Sequence, residues 1–182
     1  MLNLLSEEVA SAAEKIFWNT ICCASNHKIR INFIIACLDN LSKNYSVITS
    51  LRLLQKLFSS FYQYQDGKFT RKLIYDADKQ KNMLKSFFNN LTLYMSCCKH
   101  QANQSDSLKS KFYSHKEEVQ IRLNFLSFIF IYAGSHESLS FSQEHINILW
   151  NVFTTCDCPE IVDEFFDWLL SKQNNHFVKV II

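Results

Sequence analysis

The sequence predicts an all-α protein, and three observations lead to that prediction. The 182 residues include only two glycines and one proline, whereas average usage would give roughly 13 and 9. All-β sandwiches and barrels need such residues in their many turns, so these classes are nearly excluded. Apolar residues make up 48% of the chain and charged residues 20%, which is typical of a folded globular protein. Apolar positions recur at helical spacing through most of the chain.

The first 63 residues are predicted to form three helices. The first runs from about Ser6 to Ala24, with Ser6 as the N-cap. The second covers about 28–42 and the third about 46–63. The apolar faces of the second and third helices are Ile34, Cys37, Leu38 and Leu41, then Val47, Leu51, Leu54, Phe58 and Phe61.

The middle of the chain alternates polar stretches with one further helix. Residues 64–78 are polar and contain Gly67, so they are predicted to form a loop, with a short strand or a turn of helix at 68–75 as alternatives. Residues 79–99 are predicted to form the fourth helix, and the polar residues 100–113 a mobile loop. The apolar face of the fourth helix is Leu84, Phe87, Phe88, Leu91, Met95 and Cys98.

Residues 114–133 have the clearest helix signals of the chain. Ser114 and Glu117 have the spacing of a capping box, in which each side chain satisfies the other's backbone N–H. Gly134 stands where a C-cap glycine would end the helix. This fifth helix is apolar on nearly every side, which places it in the middle of the core. Its apolar residues are Val119, Leu123, Phe125, Leu126, Phe128, Ile129, Phe130 and Tyr132.

Two more helices complete the region 114–176. Ser142 is predicted to cap the sixth helix, and Asp157 and Pro159 to begin the seventh. The predicted buried residues are Ile146, Leu149, Trp150 and Phe153 in the sixth helix, then Val162, Phe165, Phe166 and Leu169 in the seventh. Residues 177–182 form an apolar tail. This tail indicates either a docked segment or a chain cut from something longer.

About seven helices at irregular intervals favour one continuous α-solenoid. The predicted starts, near 6, 28, 46, 79, 115, 142 and 158, do not repeat as tetratricopeptide or ankyrin arrays do. Armadillo-like and HEAT-like repeats tolerate such irregularity. A closed helical bundle is the alternative.

Charge is distributed unevenly although the net charge is only +2. Residues 27–122 have a net charge of +9, whereas residues 137–170 contain seven acidic residues and no lysine or arginine. A partner protein is therefore expected at an acidic surface on the seventh helix, formed by Glu160, Asp163, Glu164 and Asp167. The alternative is that these carboxylates are simply solvated.

The seven cysteines do not form a recognisable metal or catalytic motif. Cys22–Cys23, Cys97–Cys98 and Cys156–Cys158 lack the pair spacing of zinc sites. Cys22 lies late in a predicted helix, where nothing lowers its pKa as nucleophilic catalysis requires. We expect no metal, no cofactor and no catalytic residue.

Cysteine usage and hydropathy also bear on location. Adjacent cysteines seldom pair, so we expect reduced thiols and a cytoplasmic or nuclear protein. The N-terminus lacks the features of a signal peptide, and the longest apolar stretch is too short to span a membrane. The low net charge argues against nucleic-acid binding, although Lys68–Lys72 and Lys109–Tyr113 interleave basic and aromatic residues.

Residues 114–126 resemble a segment of the very large ubiquitin-specific proteases of the fat-facets type. The matching positions are Val119, Arg122, Leu123, Phe125 and Leu126, and residues 146–150 and 163–169 continue the pattern. The resemblance covers roughly residues 112–172.

The resemblance implies a non-catalytic role for this chain. Such proteases have long armadillo-like regions beside a papain-like domain that cleaves isopeptide bonds to ubiquitin, and the catalytic cysteine and histidine boxes are absent here. The chain would be a scaffold segment, inactive alone, that binds proteins of the ubiquitin pathway. A free-standing α-solenoid adaptor, which binds a partner through its concave or acidic surface, is the alternative. A small stand-alone enzyme is a third possibility, supported only by the cysteine count.

Overall fold

The computed structural model describes residue 12 and residues 15–22, 26–62, 67–100, 114–133 and 142–171. These residues form helices and short turns with no strand among them, which confirms the all-α prediction. The α-helical residues 15–17 lead into a π-helical turn at Trp18–Cys22, and seven further α-helices follow in this part of the chain. They are α1 His27–Ser42, α2 Val47–Tyr62, α3 Lys68–Lys81, α4 Met83–His100, α5 His115–Ala133, α6 Gln143–Thr154 and α7 Pro159–Ser171.

Helices α1 and α2 agree with the predicted spans and faces. Ile34, Cys37, Leu38 and Leu41 are all buried in α1. In α2, Val47, Leu51, Leu54 and Phe58 are buried, and Phe61 packs against the core as a partly buried residue. About half of the predicted helix at Ser6–Ala24 lies outside the described residues. Of the rest, residue 12 and residues 15–17 are α-helical and Trp18–Cys22 form the π-helical turn. Phe17, just before that turn, packs on Phe33 of α1 with ring centroids 5.3 Å apart.

The prediction of a loop over residues 64–78 is wrong from residue 68 onwards, because residues 68–81 form α3, and residues 64–66 lie outside the described residues. Gly67 precedes this helix in a left-handed conformation with φ 75°, which glycine adopts without steric cost. A narrow buried face of Thr70, Leu73, Ile74 and Ala77 holds the helix on the core. The Thr70 hydroxyl also donates a hydrogen bond of 3.0 Å to the carbonyl of Phe58 in α2.

The helix predicted over residues 79–99 is divided between α3 and α4 at Asn82. Asn82 has φ 47° and ψ 63°, and its N–H donates to the carbonyl of Asp78. Asparagine visits this left-handed region more readily than most residues. The Asp78 carboxylate accepts a hydrogen bond from the N–H of Leu84 in the first turn of α4. The chain therefore changes direction within a single residue, where periodicity alone predicts an uninterrupted helix.

Helix α5 has the central position that its composition predicts. Val119, Leu123 and Leu126 are buried on one side, and Phe125, Phe128 and Ile129 are buried on others. The helix contacts α2, α3 and α7. At its start the predicted capping box is present: the Ser114 N–H donates to the Glu117 carboxylate, and the Glu117 N–H donates to the Ser114 hydroxyl.

The last two helices begin where they were predicted to begin but bury different faces. Ser142 caps α6, and Pro159 opens α7. Trp150 was predicted to be buried, but it is 51% exposed, and Val152 is buried instead. In α7 the buried residues are Ile161, Phe165 and Trp168, whereas Val162, Phe166 and Leu169 are only partly buried. Because α7 packs against α5, its buried face is shifted by about one residue along the sequence relative to the predicted face.

Phe17 and buried residues from each of the seven described α-helices form one contiguous core, and Ile21 of the π-helical turn packs against it. The loop predicted at 100–113, the C-cap predicted at Gly134 and the apolar tail at 177–182 lie outside the described residues.

Candidate functional site: the outer face of the last two helices

The predicted acidic surface lies on α7, and three of its four carboxylates face solvent. Glu160, Asp163 and Asp167 are exposed. Glu164 is different, since its side chain is only 18% exposed and forms an ion pair with the Lys116 ammonium at the start of α5, at 3.3 Å. The outward carboxylates are therefore Glu160, Asp163 and Asp167, and Glu164 joins α7 to α5.

An apolar strip that the sequence analysis missed lies beside these carboxylates. Trp150 of α6 is 51% exposed and Leu170 of α7 is 57% exposed. Phe166 lies between them in the chain and meets the Trp150 ring edge to face, with centroids 5.9 Å apart and planes at 81°. The sequence contained a sign of the exposure of Trp150. This residue follows Leu149 directly, and adjacent side chains on a helix point about 100° apart, so both cannot lie at the centre of one buried face.

Helical geometry places an apolar row of Trp150, Phe166 and Leu170 beside an acidic row of Glu160, Asp163 and Asp167, and the two rows meet along one line of α7. Asp163 and Leu170 are seven residues apart and share one line along α7. Phe166 lies on the α6 side of that line, whereas Glu160 and Asp167 lie on the side of Lys116 and α5. We call the surface formed by Trp150, Glu160, Asp163, Phe166, Asp167 and Leu170 the acidic–aromatic face.

A second polar cluster lies inside the protein, between α4 and α5. The Arg122 guanidinium donates to the Glu118 carboxylate at 3.0 Å and lies 3.8 Å from the centroid of the Tyr94 ring. The Tyr94 hydroxyl is 2.7 Å from Nδ1 of His115, and the Cys98 thiol is 3.6 Å from the same atom. Arg122 and Glu118 are 2% and 5% exposed. The cluster thus joins two helices in the interior.

The ionisation of this cluster argues against nucleophilic chemistry. Burial raises the pKa of the Cys98 thiol above its usual range, and burial likewise raises the pKa of the Tyr94 hydroxyl. Burial lowers the pKa of Arg122, although Glu118 opposes that shift. A catalytic cysteine needs the opposite change, a lowered pKa that provides the thiolate. The contact between Cys98 and His115 therefore lacks the property that would make it a catalytic pair.

The cysteines offer no metal site in the part of the chain that the structure describes. Cys37, Cys97, Cys98, Cys156 and Cys158 are free thiols. Within the described ranges, no group of three or more Cys, His, Asp or Glu side chains is placed to hold a metal ion. Burial raises the pKa of Cys37 to about 12.

Of the two segments that interleave basic and aromatic residues, the structure describes only Lys68–Lys72, and the aromatic ring there packs against another ring of the protein. Phe69 packs against Phe61 with centroids 5.1 Å apart, and the Arg30 guanidinium lies over both rings. Lys109–Tyr113 lies outside the described residues. None of the described helices is both long and apolar enough to cross a membrane.

The helices and their shared core define the class of an α-helical repeat protein. The profile of the family described as the UBP24/USP9X/USP9Y ARM repeat matches residues 5–176. The chain therefore belongs to this ARM-repeat family, which confirms the all-α armadillo-like solenoid and the resemblance to large ubiquitin-specific proteases. The family match also extends well beyond the segment 112–172 that carried the resemblance.

Individual relatives agree with this assignment. The chain is 38% identical over 168 residues to ubiquitin carboxyl-terminal hydrolase 34 of Homo sapiens and to the same enzyme of Mus musculus. It is 36% identical over 174 residues to ubiquitin carboxyl-terminal hydrolase puf of Drosophila melanogaster. Each alignment covers 92% of this chain and 4% of the relative, so the chain spans a small part of the proteins it matches. No solved structure matches it significantly.

Proposed function

We propose that this chain is a non-catalytic helical scaffold segment of a large ubiquitin-specific protease and that it serves protein–protein interaction in the deubiquitination pathway. The main observation behind the proposal is that the residues matching the family pattern are buried. Val119, Arg122, Leu123, Phe125 and Leu126 are each no more than 2% exposed. These residues build the interior of a repeat, where they contribute stability and cannot touch a substrate.

The small share of the relatives that the chain covers supports a segment rather than an enzyme. A 4% share of a ubiquitin carboxyl-terminal hydrolase is compatible with one part of a helical region. The raised pKa values of Cys37 and Cys98 also oppose catalysis by these thiols. The proposal includes a cytoplasmic location, with the nucleus as a second site, because the described cysteines are free thiols.

The size of the native protein tests the scaffold proposal directly. An antibody raised against residues 114–170 should detect a band many times larger than the 21.4 kDa of this chain. A band near 21.4 kDa would instead support the alternative, a free-standing adaptor. The same antibody, used on cytoplasmic and nuclear fractions, checks the proposed location.

A deletion in the large protein separates scaffolding from catalysis. Removal of residues 27–171 should leave hydrolysis of a minimal ubiquitin fluorogenic substrate nearly unchanged, because that substrate needs only the catalytic domain. The same deletion should reduce the cleavage of native ubiquitin conjugates, because recruitment is lost. Loss of activity on the minimal substrate would contradict the proposal, provided that the deleted protein is still folded and expressed at a normal level.

A further inference from the structure

We propose that the acidic–aromatic face of α6 and α7 binds a basic amphipathic helix of a partner protein. The inference rests on the proposed function, because it names the kind of partner that the scaffold would hold. The proposed partner helix has apolar side chains along one edge and lysine or arginine side chains along the neighbouring edge. Such an occupant matches the two rows of the face.

The apolar row supplies the anchor for this partner. Tryptophan is enriched among the residues that dominate binding energy at interfaces, and Trp150 stands half-exposed with Phe166 against its ring. Leu170 extends the row by a further turn. Exposed apolar side chains that adjoin one another and are bordered by charges are typical of an interaction site.

The acidic row determines the sign of the charge that a partner must have. From Glu160 to Ser171 the sequence contains four acidic residues and no lysine or arginine. The ion pair of Lys116 with Glu164 neutralises the inner edge of α7, and the exposed carboxylates of Glu160, Asp163 and Asp167 form the outer edge. Complementary potentials favour encounter with a cationic surface and disfavour an acidic one.

The length of the face fits a helix laid along α7. This helix has 13 residues, which corresponds to about 20 Å at 1.5 Å per residue. Binding of an amphipathic helix to an apolar surface through anchors at helical spacing is a common mode of peptide recognition. A partner helix of about four turns would reach from Glu160 to Leu170.

A designed peptide tests the inference on the full 182-residue chain. The probe is a fluorescein-labelled amphipathic helix of about four turns, with leucine on one edge and lysine on the next. Fluorescence anisotropy should show saturable one-to-one binding that weakens as salt is added. A scrambled peptide of the same composition and a peptide with glutamate in place of lysine should both bind at least about tenfold more weakly.

Variants of the chain test whether the peptide binds at the acidic–aromatic face. Trp150→Ala should weaken binding by about tenfold or more, as expected for an anchoring tryptophan. Asp163→Lys combined with Asp167→Lys should have a similar effect. Matched controls are Tyr45→Ala, which removes an aromatic ring that is 67% exposed between α1 and α2, and Glu144→Lys, which reverses a charge in the first turn of α6. Both controls should bind within about twofold of the parent chain.

The reversal of charge on α7 should not unfold the protein. Changing Glu160, Asp163 and Asp167 together to lysine should leave the melting curve nearly intact, because all three side chains are exposed. Loss of peptide binding in this folded variant supports the inference.

Other results would overturn the inference without touching the scaffold proposal. Equal binding by all variants, or no binding by the parent chain, would show that the acidic–aromatic face does not receive a basic helix. Self-association that Trp150→Ala abolishes would identify a second copy of the chain as the occupant instead. The scaffold proposal fails separately, by a native band near 21.4 kDa, whatever the peptide does.

Discussion

The indole of Trp168 in α7 donates a hydrogen bond of 2.6 Å to the hydroxyl of Ser127 in α5. The two residues are 41 positions apart in the chain, and both are buried. The Ser127 hydroxyl in turn donates to the carbonyl of Leu123, one turn earlier in α5. This relay satisfies a polar group at the centre of an apolar interface and fixes the register of α7 on α5, which orients the acidic–aromatic face outward.

Ser127→Ala tests this relay. The variant should lose about 1–3 kcal/mol of unfolding free energy, because the buried hydrogen bond between the Trp168 indole and the Ser127 hydroxyl is removed. Chemical denaturation measures the loss. The control is Ser96→Ala, since the Ser96 hydroxyl makes a comparable bond to Thr92 on an exposed face of α4, and its unfolding free energy should change by no more than about 0.5 kcal/mol. Equal effects would show that the Trp168 bond adds nothing.

Leu126→Asp tests the central position of α5. Leu126 is fully buried, so a carboxylate there would lose its hydration without gaining a partner, at a cost of several kcal/mol. Circular dichroism should show a variant that is largely unfolded or melts far below the parent. Leu93→Asp makes the same change at a position that is 47% exposed and should have little effect. A Leu126→Asp variant that melts like the parent would refute the core assignment.

Glu118→Ala tests the buried ion pair of α5. Removal of the carboxylate leaves the Arg122 guanidinium buried without its countercharge, beside the Tyr94 ring and the backbone carbonyl of residue 118, which should cost about 3–5 kcal/mol. The double variant Glu118→Ala/Arg122→Met should recover much of that loss in denaturant titrations, because no charge then remains buried. At the exposed pair of Lys81 and Asp39, Asp39→Ala should cost at most about 1 kcal/mol. A similar cost at both pairs would contradict the role of burial.

The stability of α6 should depend on pH through His145. Its Nδ1 accepts a hydrogen bond from the N–H of Ser142 and completes the capping box, and its ring stacks on Phe88. Burial lowers the pKa of His145 below its usual value of about 6.5 in the folded protein. Protonation therefore favours the unfolded chain. This contribution to stability is fully present above about pH 6.5 and is lost as the pH falls through the lowered pKa.

The measurement compares thermal melts of the parent and of His145→Gln across this pH range. Glutamine keeps a side-chain acceptor at the same position of the capping box but does not titrate. The parent should lose stability relative to this variant on acidification. Above about pH 7 the stability difference between the two proteins should no longer change with pH. Parallel curves at every pH would show that His145 does not titrate with folding.

Thiol labelling tests the non-catalytic assignment. Burial raises the pKa of Cys37 to about 12, so this thiol should react at neutral pH only when the protein unfolds. Peptide mapping by mass spectrometry after brief labelling should show partly exposed thiols such as Cys97 reacting before Cys37. A single hyper-reactive cysteine would revive the idea of a small stand-alone enzyme.

The long, strongly periodic helices were predictable because their signals are local. Ile34, Cys37, Leu38 and Leu41 repeat at the helical period, and the capping serines at 114 and 142 mark starts that need no partner elsewhere in the chain. The nearly continuous apolar composition of α5 predicted its central position for the same reason.

Helix α3 was missed because its stability comes mainly from outside itself. Its sequence is rich in lysine and aspartate, and its buried face is narrow. Contacts with α1, α2 and α5, together with the bond from Thr70 to the Phe58 carbonyl, hold it in place. Tertiary contacts of this kind override weak local preference.

By itself, the sequence determined the all-α class, most helix starts, the central position of α5 and the acidity of α7, because composition, period and caps are properties of neighbouring residues. Only the tertiary structure decided which faces of α6 and α7 meet solvent. Trp150 and Leu170 are exposed, and Glu164 is withdrawn from the acidic row by Lys116. The physical reason is that the packing of α7 on α5, fixed by Trp168 and Ser127, joins residues 41 positions apart, a separation that no local pattern in the sequence encodes.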